Sequence, residues 1–275
     1  MRRLAIALTL MLLAATLPAQ DAEPAAPSAP TAATDAAAAP SFVQADGSLD
    51  LAGAVRYFED LYRAESSVAD AELIVERAGR ERRVRMTMWS EGQDKALIII
   101  KAPAREAGTA TLKVDNSLWN YLPRIKRTIR IPPSMMLSSW MGSDFTNDDL
   151  VRESSYSADY TYALIGRTEE PAGWQIRFTA KEGVIGLWQR FDLWLAADGK
   201  TPLRSEWYDR KGELARVLEW SDIKVLGGKT LPARMTLTPT DQDEKSRTVI
   251  VYHDISFGVE LPSSTFSLSS LERQR

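Results

Sequence analysis

The sequence predicts a mainly β fold with some α structure (α+β), built on one large antiparallel sheet that curls on itself or forms an open barrel. Three observations predict it. Apolar and polar residues alternate through most of the chain beyond Glu72, short turns with glycine separate successive runs, and one helical pattern precedes them at 49–64. Strict alternation is typical of strands with one buried and one solvated face.

The N-terminus has the pattern of a secretory signal peptide, residues 1–20. Two arginines precede an apolar run from Leu4 to Leu17, and small residues follow at 18–20. A run of this length is short for a membrane span, although an uncleaved anchor is the alternative. We expect cleavage after Ala19 or Gln20. No cysteine is present for lipidation, so the mature product should be soluble in an exported compartment.

Residues 21–45 form an Ala/Pro-rich segment that we interpret as a disordered linker. Residues 21–40 contain ten Ala and four Pro, a composition that cannot form a core and interrupts helices. The remaining residues, 46–275, are enough for a single domain with one core.

The first element of the domain is a helix over 49–64. Ser48 is suited to its N-cap and Asp50 to its first turn. Apolar residues then recur at steps of three and four, which predicts one buried helical face. These residues are Leu51, Ala54, Val55, Phe58, Leu61 and Tyr62.

Strands follow. Ala110, Leu112 and Val114 alternate with polar residues, and similar runs occur near 84–88, 174–180 and 231–237. Two-residue turns such as Gly227-Gly228 favour hairpins. About a dozen candidate strands suit one large curled sheet or an open barrel.

One helix cannot cover the apolar face of such a sheet. The other helix-like stretch is 134–150, which we interpret as a lid over a ligand cavity, or alternatively as plain core. Its apolar side chains are large and adaptable, as those lining irregular pockets often are. The candidate cavity or lid residues are Met135, Met136, Leu137, Trp140, Met141 and Phe145, together with Trp119.

A basic run lies just before this stretch. Arg124, Lys126 and Arg130 are predicted on one face of a strand, with Arg127 opposite. They could contact anionic headgroups or an acidic partner, and a solvated strand face is the alternative.

Composition excludes several chemistries. The chain has 275 residues, no Cys and a single His, so a thiolate nucleophile or a His/Cys metal site is excluded. A net charge of −3 argues against nucleic-acid binding. The sequence therefore predicts no catalytic residue, metal or cofactor, and a hydrolase lacks a visible nucleophile–base pair.

Residues 94–150 resemble the LolA-like outer-membrane lipoprotein-sorting proteins, in the branch with the Met-Gly-Ser-Asp-Phe-Thr signature. The matching pieces are the turn at 103–108, Trp119-Asn-Tyr-Leu-Pro123, the basic run to Arg130, and the octet 139–146. The resemblance implies an open, strongly curved half-barrel of about 11 strands, with helices covering its concave face.

The resemblance also implies a non-enzymatic periplasmic carrier. Its cargo would be the acyl chains of a lipoprotein or a lipid, bound in a hydrophobic cavity for sorting to the outer membrane. The implied partners are this cargo, an inner-membrane transporter and, transiently, a membrane, with the carrier itself a monomer. The alternative is an envelope assembly or exporter accessory module without lipid cargo.

Overall fold

The computed structural model describes residues 41–152, 156–184, 186–240 and 246–272. The predicted signal peptide and linker residues 21–40 lie outside these ranges. The described residues form a single sheet of thirteen strands, more than the predicted 11. Short strands such as the four-residue β6 contain too few residues to show a period. The strands are β1 Ser66–Arg77, β2 Arg80–Glu91, β3 Lys95–Ala102, β4 Ala110–Val114, β5 Ser117–Leu122, β6 Arg127–Arg130, β7 Tyr160–Glu169, β8 Ala172–Ala180, β9 Trp188–Leu195, β10 Pro202–Asp209, β11 Leu214–Leu226, β12 Lys229–Pro239 and β13 Arg247–Phe257.

The described helices are few and short. They are α1 Leu51–Glu59, α2 Asn147–Arg152, α3 Tyr156–Asp159 and α4 Leu268–Glu272, with 3₁₀ turns at Pro133–Met135 and Ser263–Phe266. Among the residues that the structure covers, no helix is long and apolar enough to cross a membrane.

All strand pairs are antiparallel, and the sheet is open. The spatial order is β6-β5-β4-β3-β2-β1-β13-β12-β11-β10-β9-β8-β7. The chain thus runs outward from β1 to one edge at β6, begins again at the other edge with β7, and returns to pair β13 with β1. Every other neighbouring pair is consecutive in sequence, so the fold is two meanders joined at β1 and β13.

The sheet is strongly curved. Strands β4 and β10 are seven steps apart in the sheet, which is about 34 Å along a flat sheet at about 4.8 Å per step. Nevertheless Thr111 of β4 and Trp207 of β10 line the same cavity. Only a sheet that curls round a concave face can bring them together. The prediction of one curled antiparallel sheet is confirmed.

Helix α1 is shorter than predicted and begins differently. Asp50, not Ser48, is its N-cap, and the Asp50 carboxylate accepts a hydrogen bond from the Gly53 amide at 3.0 Å. No Cβ would fit at Gly53, because Asp50 and Phe42 occupy that space. Ala54 and Val55 are fully buried in the main core. The apolar face predicted from the sequence therefore packs against the sheet.

Residues 131–159 connect the two edges of the sheet and are called here the crossing segment. The predicted helix over 134–150 is wrong. Met141 and Gly142 adopt positive φ angles of 53° and 70°, which end any helix. The Trp140 amide bonds the Phe145 carbonyl at 2.7 Å, closing a tight loop. Helical covering of the concave face is thus limited to α1 and single turns.

The convex face carries a second core. Leu97, Ile99 and Leu112 point to this side and pack under the C-terminal residues Phe266 and Leu271. Leu97–Ile100 of β3 are all buried, since neighbouring residues point into different cores. The apolar face of β4 therefore lies on the convex side, and its polar face points towards the concave cavity.

Candidate functional site

The concave face holds a cavity that is partly open to solvent, with about 1010 Å³ of empty space when the solvent at its mouth is included. Its floor comes from β1–β5, its opposite wall from β10–β13, and its cover from α1 and the crossing segment. The lining residues are Phe58, Glu59, Leu61, Tyr62, Arg63, Ser67, Ala69, Met88, Trp89, Ser90, Ala96, Ile98, Thr111, Lys113, Leu118, Leu150, Tyr156, Trp207, Leu218, Trp220, Met235 and Tyr252.

Strand register explains the floor. One row of directly paired residues runs across β1 to β5, next to the β2–β3 and β4–β5 turns, and is called here the outer row. It consists of Ser67, Ser90, Ala96, Lys113 and Leu118. The next row inward is Ala69, Met88, Ile98 and Thr111. Three of the five outer-row side chains are small, so space remains above them.

The opposite wall is aromatic. Trp207 lines the cavity and stacks on Phe191 at 4.1 Å between ring centroids, and Phe191 stacks on Phe178 at 4.3 Å. Tyr156 lies edge-on to Phe191 at 5.0 Å. These contacts place large, rigid rings side by side, and such stacked pairs add to the stability from burial. The wall therefore presents a firm apolar surface.

One donor in this wall lacks an acceptor. The indole nitrogen of Trp220 is buried and has no hydrogen-bond partner among the described residues. Its ring packs edge-on against Phe58 at 5.9 Å. The buried indole N–H therefore adds a polar group to an otherwise apolar wall.

The crossing segment is attached to the sheet by charged side chains. The Asp149 carboxylate accepts two hydrogen bonds from Arg216 of β11, both at 2.7 Å. The Arg216 guanidinium lies between the Trp188 and Trp207 rings, 4.2 and 4.7 Å from their centroids. Burial raises the pKa of Asp149, but the Arg216 charge and hydrogen bonds outweigh it, so the pKa is lowered overall.

Further attachments lie nearer the tight loop. Asp144 pairs with Arg77 of β1 at 2.7 Å and accepts a hydrogen bond from the Thr248 hydroxyl, also at 2.7 Å. Arg82 donates to the Met141 carbonyl at 2.7 Å. Asp144 and Asp149 thus act as anchors for the crossing segment.

Glu59, at the end of α1, is the carboxylate in the lining. It is buried and accepts hydrogen bonds from the Ser157 amide at 2.6 Å and the Ser157 hydroxyl at 3.0 Å. Burial raises its pKa, and the two bonds from Ser157 oppose this shift. Glu59 therefore joins α1 to α3 across the cover of the cavity.

A family model described as "Uncharacterized protein" matches residues 92–273, about two thirds of the chain. The chain belongs to this family. No curated protein sequence matches the chain.

Solved structures share the fold. A DUF1329 family protein from Desulfovibrio piger is 25% identical with a TM-score of 0.70, over 80% of this chain and 98% of that one. A putative outer membrane lipoprotein-sorting protein domain from Vibrio parahaemolyticus is 24% identical with a TM-score of 0.67, over 78% and 95%. A LolA superfamily protein from Nitrosomonas europaea is 19% identical with a TM-score of 0.67, over 80% and 98%. The predicted LolA-like resemblance is confirmed at the level of the fold.

The LolA-like fold places two of the seven predicted cavity residues at a cavity. Trp140 and Phe145 are buried and line a smaller cavity that adjoins the first beneath the crossing segment. The Trp140 indole donates to Thr111 at 3.1 Å. Both side chains face the sheet, as a lid or a core residue would.

The other five predicted cavity residues lie elsewhere. Met135 is 48% exposed and Leu137 is 50% exposed. Met136 and Met141 are half-buried. Trp119 packs against the second core on the convex face, because it pairs with Leu112, whose side chain points the same way.

The basic residues do not form the predicted strand face. Arg124 and Lys126 are exposed in the turn between β5 and β6, where Lys126 has a φ of 50°. Arg130 is exposed on the edge strand β6, donates to Ser117 at 3.0 Å and lies 5.8 Å from the Trp119 ring centroid. The chain reverses at this turn, so the period of a single strand does not apply.

Sequence reasoning missed the outer row and the aromatic wall. Thr111 and Lys113 were visible as the polar half of an alternating strand, but nothing in the sequence indicated that this half faces the cavity. The rings at 178, 191 and 207 come from three strands, and only the hairpin register aligns them.

Proposed function

We propose that this protein is a periplasmic, non-enzymatic carrier that binds the acyl chains of a lipoprotein or lipid and conveys them towards the outer membrane. The observation that carries the proposal is the concave cavity, whose lining is mainly apolar and aromatic. A soluble protein stabilises such a surface either by filling it or by reserving it for an apolar ligand.

The energetics support an alkyl ligand. Each buried CH₂ group contributes about 0.8 kcal/mol. A chain of about 16 carbons that buries even half of its length therefore binds without any polar contact. The small side chains of the outer row leave the space, and Trp207 and Trp220 provide a surface for the chain.

The crossing segment is the proposed moving part. It carries Trp140, Phe145 and Leu150 over the sheet. Apart from a single bridge between Ser139 and Thr146, residues 131–152 and 156–159 of this segment have no strand pairing. Its charged anchors, Asp144 and Asp149, can separate without breaking a strand ladder. Opening of this segment would admit and release the acyl chain.

A structural relative and the predicted signal peptide support the proposed role in the periplasm. One solved structure with the same fold is that of a putative outer membrane lipoprotein-sorting protein domain. The predicted signal peptide would deliver the chain to the periplasm. The exposed basic residues Arg124, Lys126 and Arg130 would meet anionic headgroups during transient membrane contact. Loading or unloading would involve an inner-membrane transporter or an outer-membrane acceptor.

Native mass spectrometry of gently purified protein tests the proposal first. We expect added mass in the range of a lipid or an acylated peptide, removed by organic extraction. The extracted protein should then bind a fluorescent fatty acid with saturation. If neither native cargo nor probe binding is observed, the carrier function is wrong, and the interaction-module alternative replaces it.

A cavity-filling variant locates the binding. Ala96 lies in the outer row and is half-buried, so Ala96→Phe should project a ring into the cavity. Ala102→Phe is the matched control, since Ala102 is on the same strand, is also half-buried and lies outside the lining. We expect at least about tenfold weaker probe binding for Ala96→Phe and no change for Ala102→Phe. Equal affinities would place the bound probe elsewhere.

A further inference from the structure

The outer row contains a buried cation. Lys113 lies near the C-terminal end of β4, is 4% exposed and lines the cavity. It pairs with Ala96 on one side and Leu118 on the other, and these two residues also line the cavity. The Lys113 ammonium donates to the Gln93 carbonyl at 2.6 Å.

Burial of an ammonium group is costly unless polar groups compensate for it. A lysine is therefore an expensive residue for a cavity that only has to hold hydrocarbon. The alternation of β4 explains why the Lys113 side chain points inward. It does not explain why this position holds a cation, since the paired positions of β1, β2 and β3 hold serine or alanine. A role in ligand binding would account for the choice.

The neighbouring groups favour an anion at this position. The Ser67 and Ser90 hydroxyls are 2.7 Å apart in the same row. Ser67 donates its proton to the Tyr62 carbonyl at 3.2 Å, so the Ser90 hydroxyl is the one that can turn from Ser67 to donate to an anion. Two cations, Lys113 and Arg63, line the cavity with one carboxylate, Glu59. Glu59 belongs to the cover, where it is bonded to Ser157.

We infer that Lys113 is the headgroup-recognising residue of the cavity, which takes an anionic amphiphile: an acyl chain that ends in a carboxylate or a phosphate. The inference rests on the proposed carrier function and narrows its cargo. The headgroup lies on the outer row, with Ser67 and Ser90 beside it. The chain extends from there over Met88 towards Trp207.

The position also explains the shape of the outer row. Ser67, Ser90 and Ala96 are small enough to admit a headgroup next to Lys113, whereas Met88 and Ile98 in the next row are suited to the chain. A charge-assisted hydrogen bond in a buried site is roughly twice as strong as a neutral one. Lys113 therefore selects among ligands of equal chain length.

The test compares three probes of equal chain length on the delipidated full domain: a fatty acid, the corresponding alcohol and the corresponding monoalkyl phosphate. Wild-type protein should bind the two anions about tenfold or more tighter than the alcohol, as a hydrogen bond to a charged group implies. The order of the acid and the phosphate then distinguishes free fatty acids from phospholipid-type cargo. Equal binding of acid and alcohol by wild-type protein would overturn the inference.

Substitutions at Lys113 test whether this residue causes the preference for anions. Lys113→Met should reduce the preference for anions to less than about twofold, while Lys113→Arg should keep it. The control is Lys101→Met, on the neighbouring strand, where Lys101 is exposed and lies 5.6 Å from the Trp89 ring centroid. That variant should bind like the wild type. A full preference in folded Lys113→Met contradicts the inference.

The salt dependence of binding distinguishes an effect of Lys113 from an effect of the exposed basic residues. Interactions between exposed charges are largely screened at about 1 M salt, whereas buried pairs are screened much less. The preference for the acid over the alcohol should therefore persist in high salt. If the preference disappears there, surface residues such as Arg124 and Lys126 cause it. Failure of every alkyl probe to bind would instead refute the carrier function itself.

Discussion

The two walls of the cavity are built from opposite kinds of residues. On β1–β3 the outer row has Ser67, Ser90 and Ala96, which leave space. On β10 the Trp207 ring lines the cavity, and it is backed by the stacked rings of Phe191 and Phe178 at 4.1–4.3 Å, which leave no space. Both walls belong to the same continuous sheet. The difference indicates that the aromatic wall contributes stability, while the small-residue wall contributes volume.

The largest expected effect comes from breaking the aromatic wall. Phe191→Ala removes a fully buried ring at the centre of the stack, and such truncations cost about 3–5 kcal/mol. Urea unfolding should show this loss. Phe257→Ala is the control, because Phe257 is only half-buried and should cost much less. Similar losses of unfolding free energy in both variants would mean that the stacked rings contribute no more stability than a half-buried ring does.

The next effect concerns the anchor between the aromatic wall and the crossing segment. Asp149→Asn leaves the Arg216 charge buried with a neutral partner. Loss of a partner from a buried ion pair costs about 3 kcal/mol or more. The comparison is Asp70→Asn, which removes the partner of the exposed Arg85 and should cost at most about 1 kcal/mol. If the two variants lose equal stability, Asp149 is not an anchor.

The Asp149–Arg216 pair predicts that the stability of the protein depends on pH. The pKa of Asp149 is lowered on folding, so its contribution to stability is complete above the usual pKa of an Asp side chain, about 3.9. The contribution is lost as the pH falls through the lower pKa of the folded state. Acid unfolding of the wild type should therefore be steeper than that of Asp149→Asn. Parallel curves would contradict this assignment.

The smallest effect is expected in the small-residue wall. Ser67→Ala or Ser90→Ala removes one partner of a buried hydrogen bond and should cost about 1 kcal/mol. Ser67 also donates to the Tyr62 carbonyl at 3.2 Å. The double variant should therefore cost little more than Ser67→Ala alone, because the Ser90 hydroxyl is then no longer left without its Ser67 partner. A double-mutant cycle by urea unfolding measures this. Fully additive losses would show that each hydroxyl is bonded independently of the other.

The alternation of β4 shows which features of a strand can be predicted from the sequence and which cannot. The sequence correctly predicted that Ala110 and Leu112 share one face, because side chains on a strand alternate. It could not say which face is concave. The structure turns these residues towards the C-terminal segment, so Lys113 points into the cavity. The period is a local property, whereas the assignment of faces depends on which distant segment covers each one.

His253 illustrates a second limit. It falls in an alternating apolar set with Val249, Val251 and Ile255, and the sequence places it in the core or a pocket. In the structure it is exposed, and it is the extra residue where the register between β1 and β13 shifts. A bulge inserts one residue and reverses the faces beyond it. Ile255 thereby becomes buried and His253 faces outward.

The sequence by itself determined the class of fold, the single antiparallel sheet, the buried face of α1 and the LolA-like resemblance. These follow from local periods, turn residues and motifs, which short stretches of chain encode. The tertiary structure alone decided the number of strands, the path of the crossing segment and the residues that meet in the cavity. The reason is physical: Ser67 and Lys113, or Asp149 and Arg216, are far apart in sequence. Only the strand register and the curling of the open sheet bring them together.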